Sequence, residues 1–427
     1  MNPGGPEAPG WNDALPDWYV KRHGRQPCVN IGTAGHVDHG KTTLIQALTG
    51  RWTSVHSQEL RRGITIRVGY TDAAFYRCAS CEPPLGASTS PKCPECGAEA
   101  ELSRVVSFVD SPGHESLMAN MLSGAALMDG SLLVVAANQK VPQLQTEEHL
   151  LALDILGITQ VVVVQNKVDL LTYEQAMANH GAIASFLKGA GRGSAPVIPV
   201  SAQSSLNTDA LIDSIERTIP TPERDPSERP IMHVLRSFDV NRPGTEIAGI
   251  AGGVIGGSLT QGSLRVGDEV EIRPGVLDER RGVHEPLTTT VTSLGTGAGR
   301  VDEVRPGGLV AIGTRLDPAM TAGDSLTGSV IGSPGSLPEN ATSATMDVSL
   351  FDSAVGEAGT KIAPVREGEM LRLSVGTAPA LCQAKSAKGG KVTVEFRRSV
   401  CLLGGRSVAI SRKIADRWRL IGAGKVG

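Results

Sequence analysis

Aromatic side chains are scarce in this 427-residue sequence: four Trp, four Tyr and six Phe, or 3% of the chain. So thin a supply argues against a row of aromatic platforms for stacking unpaired bases. If RNA is bound, recognition of its shape and backbone is favoured instead. Long apolar runs are also missing. None approaches the roughly 18 residues of a membrane span, so no membrane partner is expected. Residues 1–27, "MNPGGPEAPGWNDALPDWYVKRHGRQP", have no apolar segment of the signal-peptide kind and read as a loose, flexible tail. Cysteine is limited to seven, four of them in two tight pairs. That usage suits a reducing compartment, hence the cytoplasm, better than a disulfide framework. Strong net charge is absent too, at −3 overall, but its distribution is uneven. Residues 341–427 hold 14 Lys and Arg against 7 Asp and Glu, a net +7, which leaves −10 on the remainder. A basic end on an acidic body suits contact with backbone phosphates, or simply a solvated face.

The length suits about three domains. Strand-like and helix-like segments alternate at first. "CVNIG", "RVVSFVD", "GSLLVVAAN", "QVVVVQN" and "APVIPVSA" are β-branched runs, separated by stretches such as "TEEHLLALDIL" and "NTDALIDSIERTI". Continuous apolar strands between helices predict a doubly wound, mostly parallel α/β sheet over residues 28–220. The Pro- and charge-rich "PTPERDPSERP" then reads as a linker, centred on 221–230. Short strands punctuated by Gly and Pro follow, with a soft break at "GSPGSLPENATS". They predict two β-barrel domains, 231–335 and 336–427.

Chemistry concentrates after the first strand. "GHVDHGKTTL" places Gly35, Gly40, Lys41 and Thr42 in the spacing G-x-x-x-x-G-K-[ST]. Glycines let successive N–H groups turn toward one point, and the following helix adds the positive end of its dipole. Lys41 would reach the outer phosphates and Thr42 would ligate Mg²⁺. Val37, Asp38, His39, Gly40, Lys41, Thr42 and Thr43 are the expected nucleotide-binding residues of this loop. "NKVD" supplies the base reader: the Asp169 carboxylate matches the two donors of guanine, while Asn166 and Lys167 brace the loop and cover the base. "SAQ", Ser201, Ala202 and Gln203, would present a backbone N–H to guanine O6. In "VDSPGH", Asp110 would hold Mg²⁺ through water and the Gly113 N–H would meet the γ-phosphate. His114 is either the residue that orients the attacking water or an exposed loop histidine. "RRGITI" contributes Thr65 as a further Mg²⁺ ligand. No arginine is evidently placed as a built-in finger, so intrinsic GTP hydrolysis is expected to be slow, on the order of 10⁻⁴ to 10⁻² s⁻¹.

Cys78, Cys81, Cys93 and Cys96 form C-x₂-C-x₁₁-C-x₂-C, a spacing for a closed, structural Zn²⁺ site. Cys28, Cys382 and Cys401 stand alone and read as small buried residues.

"GHVDHGKT", "RRGITI", "VDSPGHE" and "NKVD" resemble the translational GTPases. The cysteine knuckle, "SFDVNRPGT", "GGLVAIGTRLDP" and "ISRKIADRWRLIG" narrow the resemblance to the gamma subunits of archaeal and eukaryotic initiation factor 2. The length suits an archaeal form. The resemblance implies a P-loop GTPase domain with a zinc-knuckle insert, followed by two β-barrels. It implies GTP and GDP as ligands with Mg²⁺ and structural Zn²⁺. It also implies a carrier of initiator methionyl-tRNA to the small ribosomal subunit, joined to alpha and beta subunits. Asp38 and Gly63 match positions that touch a second Mg²⁺ in that family; burial of Asp38 as a loop brace is the other reading. Val37 and Ile64 match an apolar gate beside the histidine. His36 and His39 read as loop packing. Two stretches depart from the pattern: "ANQKVPQLQT" at 137–146, where docking of a partner near the switches is in question, and residues 340–365. The alternatives are a selenocysteine-specific elongation factor, an autonomous GTP hydrolase that binds no tRNA, and a zinc-ribbon scaffold with a degenerate site.

Overall fold

A computed structural model of the chain describes residues 11, 15–53, 65, 68–114, 117–246, 249–278, 280–352, 361–405, 407–414 and 416–426. The β-branched runs form β1 (Val29–Ala34), β4 (Glu101–Asp110), β5 (Gly130–Ala136), β6 (Val161–Asn166) and β7 (Val197–Val200). With β2 (Gly69–Arg77) and β3 (Ala87–Ser88) they make one sheet in the order β3-β2-β4-β1-β5-β6-β7. The five sequence-predicted strands run parallel, and β2 and β3 are antiparallel additions at one edge. β2 is not among the strands read from the sequence. It mixes buried and half-buried positions, so its pattern is not the continuous apolar run of a central strand.

Helices cover both faces. On one, Leu44, Ile45 and Leu48 of helix Lys41–Thr49 and Leu211 and Ile215 of helix Thr208–Thr218 pack over Ile31, Phe75 and Phe108. On the other, helices Met118–Ala125, Leu144–Ile155 and Tyr173–Gly189 set Met121, Leu153 and Ile183 against Leu133 and Val163. Each fully buried side chain of this size contributes about 1.5–3 kcal/mol. A β-strand's C-terminal end followed by a helix N-terminus places loops at one sheet edge, the usual ligand position in such folds.

The middle domain is an eight-stranded antiparallel sheet, β12-β11-β17-β8-β9-β16-β13-β14, with a two-stranded ribbon β10-β15. Its strands are β8 (Ile231–Phe238), β9 (Val254–Gln261), β10 (Leu264–Arg265), β11 (Glu269–Asp278), β12 (Val283–Thr290), β13 (Ser293–Thr296), β14 (Gly299–Val301), β15 (Glu303–Val304), β16 (Val310–Gly313) and β17 (Val330–Gly332). They enclose Val234, Ile255, Val270 and Ile312. The last domain is a closed barrel, β18-β21-β20-β19-β22-β23. Its strands are β18 (Asn340–Leu350), β19 (Met370–Val375), β20 (Ala378–Lys388), β21 (Lys391–Cys401), β22 (Ser407–Ile414) and β23 (Arg417–Val426). The stretch that departs from the family pattern thus begins with β18, which pairs with both β21 and β23 and closes the barrel.

The loose tail expected over residues 1–27 does not describe residues 15–27. Asp17–His23 is helical and Tyr19 is fully buried in the first domain's core, where its ring finds more apolar contact than a solvated tail offers. Cys28, Cys382 and Cys401 are buried, as read. Among the described residues no helix is long and apolar enough to cross a membrane.

Candidate functional site

The loop after β1 leads into helix Lys41–Thr49 through Gly40, which has a left-handed backbone (φ +86°). Two other glycines are fixed by close approach. A Cβ on Gly35 would lie 2.2 Å from Val134 O, and one on Gly113 would lie 2.3 Å from Lys41 Nζ. Around this loop is a cavity of about 610 Å³. Val37, Asp38, Gly40, Lys41, Thr42 and Thr43 line it from the loop and helix, and Thr65, Gly113 and His114 from the adjoining segments. Asn166, Lys167, Asp169, Ser201, Ala202 and Gln203 close its far side. Of the sequence-predicted nucleotide residues, only His39 is absent from this wall.

Lys41 is 6% exposed and donates to the carbonyls of Gly35 (3.0 Å) and His36 (2.8 Å). Burial lowers its pKa to about 8, against the opposing pull of Asp110 and Asp38. A buried ammonium that, among the described residues, donates to carbonyls suits a phosphate anion. Beside it, oxygen ligands converge. The Thr42 hydroxyl donates to Asp110 Oδ2 (2.7 Å) and lies 2.9 Å from Thr65 Oγ1. Thr53 and Thr33 donate to the same carboxylate at 2.6 and 3.2 Å. Hydroxyls and a carboxylate are the donors a small hard cation takes. Burial raises the Asp110 pKa, and the threonine hydrogen bonds oppose that rise. Gly63 and Ile64 lie outside the described residues.

On the base side, the Asn166 amide donates to His39 O (2.9 Å) and its Oδ1 accepts from Ala202 N–H (3.0 Å). Asn166 therefore ties together the phosphate loop and "SAQ". Of the "SAQ" backbone N–H groups, that of Ala202 is engaged by Asn166. Asp169 is exposed at the cavity rim. The desolvation expected to make Asp169 reject adenine therefore requires a seated base.

His39 turns away from the cavity. It is fully buried, with Nδ1 2.9 Å from Val134 O and Nε2 3.1 Å from the Gln139 amide. Desolvation lowers its pKa to about 4. Its side chain is packing, and only its backbone carbonyl meets the base-side loop. Gln139 belongs to the departing 137–146 loop, so that departure touches the back of the phosphate loop as well as the surface. Sequence reasoning passes over Trp52 and Leu170, which also line the cavity, and Thr33, Thr53 and His149. The buried His149 accepts from Gly35 N–H (2.9 Å). None of these lies in a motif; only chain folding brings them there.

The four knuckle cysteines bring their sulfurs within 4.8 Å of one another. Cys78 and Cys96 Sγ are 3.6 Å apart, Cys81 and Cys93 Sγ 3.7 Å. Zn–S bonds of about 2.3 Å in a tetrahedron require S···S edges of about 3.8 Å, so the donor set fits such an ion. Gly86 (φ +81°) allows this closure, because a Cβ there would lie 2.8 and 2.9 Å from the Cβ atoms of Cys78 and Cys81.

A second cavity, about 470 Å³, opens between the first and middle domains. Tyr70 of β2 forms one wall. Phe238, Leu309, Val310 and several glycines of the middle domain form the other. Tyr70 Oη is buried, and among the described residues nothing partners it.

Comparison with known proteins agrees with this geometry. Residues 26–221 match the family model "Elongation factor Tu GTP binding domain", 252–332 match "Elongation factor Tu domain 2", and 342–426 match "Initiation factor eIF2 gamma, C terminal". Translation initiation factor 2 subunit gamma of Archaeoglobus fulgidus is 55% identical over 399 residues, 93% of this chain and 94% of that protein. The Halobacterium salinarum subunit is 53% identical over 94% of this chain and 97% of its own. Among solved structures, a bacterial selenocysteine-specific elongation factor EF-Sec superposes with a TM-score of 0.70 at 22% identity. This chain covers 58% of that longer chain, and the likeness is one of fold. The chain belongs to the family of translation initiation factor 2 gamma subunits and is a translational GTPase.

Proposed function

We propose that this chain carries initiator methionyl-tRNA to the small ribosomal subunit while GTP is bound, as the core subunit joined to alpha and beta partners. One observation carries the reading: the phosphate site and the interdomain slot share a strand end. Gly69 pairs with Asp110 across the β2–β4 ladder, and the next pair is Tyr70 with Val109. A change at the Asp110 cluster therefore reaches the wall of the slot within one residue. The slot has a mostly apolar, glycine-rich wall with Arg236 and Arg300 also lining it, a seat for an unbranched thioether side chain at the end of a tRNA.

In this reading Lys41 and the loop N–H groups hold the phosphates, and Asp169 selects guanine. Thr42 and Thr65 hold Mg²⁺ directly and Asp110 holds it through water. Mg²⁺ supplies charge neutralisation at the transferring phosphoryl group. Asp38 lines the same cavity and is the candidate ligand for a second ion. His114 orients water for hydrolysis, which stays slow without a supplied arginine. The four cysteines hold structural Zn²⁺. The GTP-bound form grips the cargo through contacts worth a few kcal/mol more than the GDP form makes.

Filter retention of charged tRNAs with GTP and with GDP tests this. Initiator methionyl-tRNA should be held with GTP only, and its affinity should fall steeply with added salt. Equal retention in both states overturns the switch. Preference for selenocysteinyl-tRNA assigns the chain to the other carrier class, and no retention leaves a hydrolase.

A further inference from the structure

The segment before β1 is built into the joint between the first and middle domains. Tyr19 anchors it in the first domain's core, and its hydroxyl donates to Gln26 O (2.9 Å). Gln26 is 1% exposed, and its amide spans the joint. Nε2 donates to the carbonyls of Arg305 (2.6 Å) and Gly307 (2.7 Å), and Oε1 accepts from Arg305 N–H (2.8 Å). The Arg305 guanidinium reaches back to Lys21 O (2.7 Å) at the end of helix Asp17–His23. That contact satisfies a carbonyl left over at the helix C-terminus. Thr296 Oγ1 donates to Arg25 O (2.7 Å). The turn at Gly307–Gly308 lies on the backbone of Pro27 and Cys28 so closely that added Cβ atoms would come within 3.0 Å. At Gly297, between β13 and β14, a Cβ would meet Asp72 Oδ2 at 1.9 Å and Trp11 Cζ2 at 3.2 Å.

These contacts fall on two segments of the middle domain: the β13–β14 hairpin, which Arg25 holds through Thr296, and the turn at residues 305–308 that leads into β16, which Gln26 and Pro27 hold. Gly295, Thr296, Gly299 and Arg300 of β13 and β14 line the interdomain slot opposite Tyr70. We infer that residues 17–27 are a specificity strap: by fixing the β13–β14 hairpin and the turn that leads into Leu309, Val310 and Ala311 relative to Tyr70, they set the width of the slot and so the aminoacyl side chain it accepts. The inference rests on the reading of the slot as the aminoacyl seat. Gln26 is a positioning residue, since it acts on the slot through Arg305 and Gly307 and touches no ligand itself. Gln26 is suited to the task because one planar amide satisfies two carbonyls and one N–H that the joint buries together. Residues 17–27 do not line the nucleotide cavity, so GTP affinity measured without tRNA should not follow the strap.

The test uses the full chain, with one initiator tRNA charged with methionine or with valine. Gln26→Leu keeps the volume and removes all three hydrogen bonds. Arg305→Met removes the helix cap and leaves the Gln26 amide in place, and it serves if the first variant folds poorly. Dissociation constants with GTP are measured for both charged tRNAs, alongside GTP affinity. The expected result is an unchanged GTP affinity and a methionine-over-valine ratio reduced at least fivefold in both variants, Arg305→Met the milder. A ratio equal to that of the parent in a variant that binds GTP normally overturns the strap. Tyr70→Ala separates the two ideas. If it abolishes the preference while the strap variants keep it, the slot stands and the strap falls. If it too leaves the preference intact, the slot reading itself fails.

Discussion

Asp169 stands exposed at the rim of the nucleotide cavity, on the short turn Val168–Leu170 that the left-handed Lys167 (φ 64°) introduces. A carboxylate there accepts from both guanine donors, and an amide cannot. Asp169→Asn should weaken GTP at least ~100-fold, because sites built on a hydrogen bond reject analogues that lack it. The same variant should gain xanthosine triphosphate, whose carbonyl replaces the guanine amino group; titration with fluorescent nucleotides checks both. His149 supplies a pH dependence. Desolvation first, then the Lys41 charge, pushes its pKa down to about 3, whereas the unfolded chain titrates near 6.5. Between those values the unfolded chain binds a proton that the folded chain refuses. Stability is therefore full above pH 6.5 and falls as the pH drops toward 3, by up to about 1.4 kcal/mol per pH unit. Urea midpoints between pH 7 and 4 should show this slope, and His149→Leu should reduce it, with His39 supplying part of the remainder.

At the scale of elements, the knuckle between β2 and β4 is the clearest case of a segment that cannot hold itself. Most of residues 79–100 are polar or exposed, so binding energy has to come from the four sulfurs. One zinc per chain is expected by elemental analysis. Its removal with a chelator, or Cys78→Ser, should raise amide exchange across 78–98 while the barrels keep their protection. The knuckle was legible in sequence because ligand spacing is local. β2 was not, because it mixes buried and half-buried positions instead of running continuously apolar. Its carboxylate Asp72, which burial raises to about 6, sits against the middle domain at Gly297, a contact that no local pattern announces.

Across the whole molecule the three domains share buried surface. Leu235 of the middle domain and Ala409 and Leu420 of the last join the first domain's second core. Thr377 of the last domain donates to Val234 O (2.7 Å), and Asn30 of β1 donates to Ser258 Oγ (3.0 Å). Arg419 of β23 pairs at 3.0 Å with Glu148 of helix Leu144–Ile155, and their side chains are 13% and 4% exposed. Next to Glu148, His149 accepts from the phosphate loop, so one helix turn joins the last barrel to the nucleotide site. Glu148→Ala breaks this largely buried ion pair and should lower the urea midpoint. Glu148→Leu combined with Arg419→Met should recover most of that, because a packed apolar pair has no charge to desolvate.

The amino-acid sequence determined the glycine-rich loop of the GTP-binding domain, the cysteine knuckle and the change from α/β to all-β architecture. Each depends on residues close together in the chain, where glycine, proline and ligand spacing act directly on the backbone. Tertiary structure alone decided that His39 packs behind the loop, that Asn166 takes the Ala202 N–H, that Tyr70 faces the middle domain and that residues 17–27 bridge two domains. Those outcomes depend on which buried donors and acceptors meet across up to 281 positions of chain, as Gln26 and Gly307 do. Burial makes a partner favourable for most such groups, and the fold, not the local sequence, decides which one.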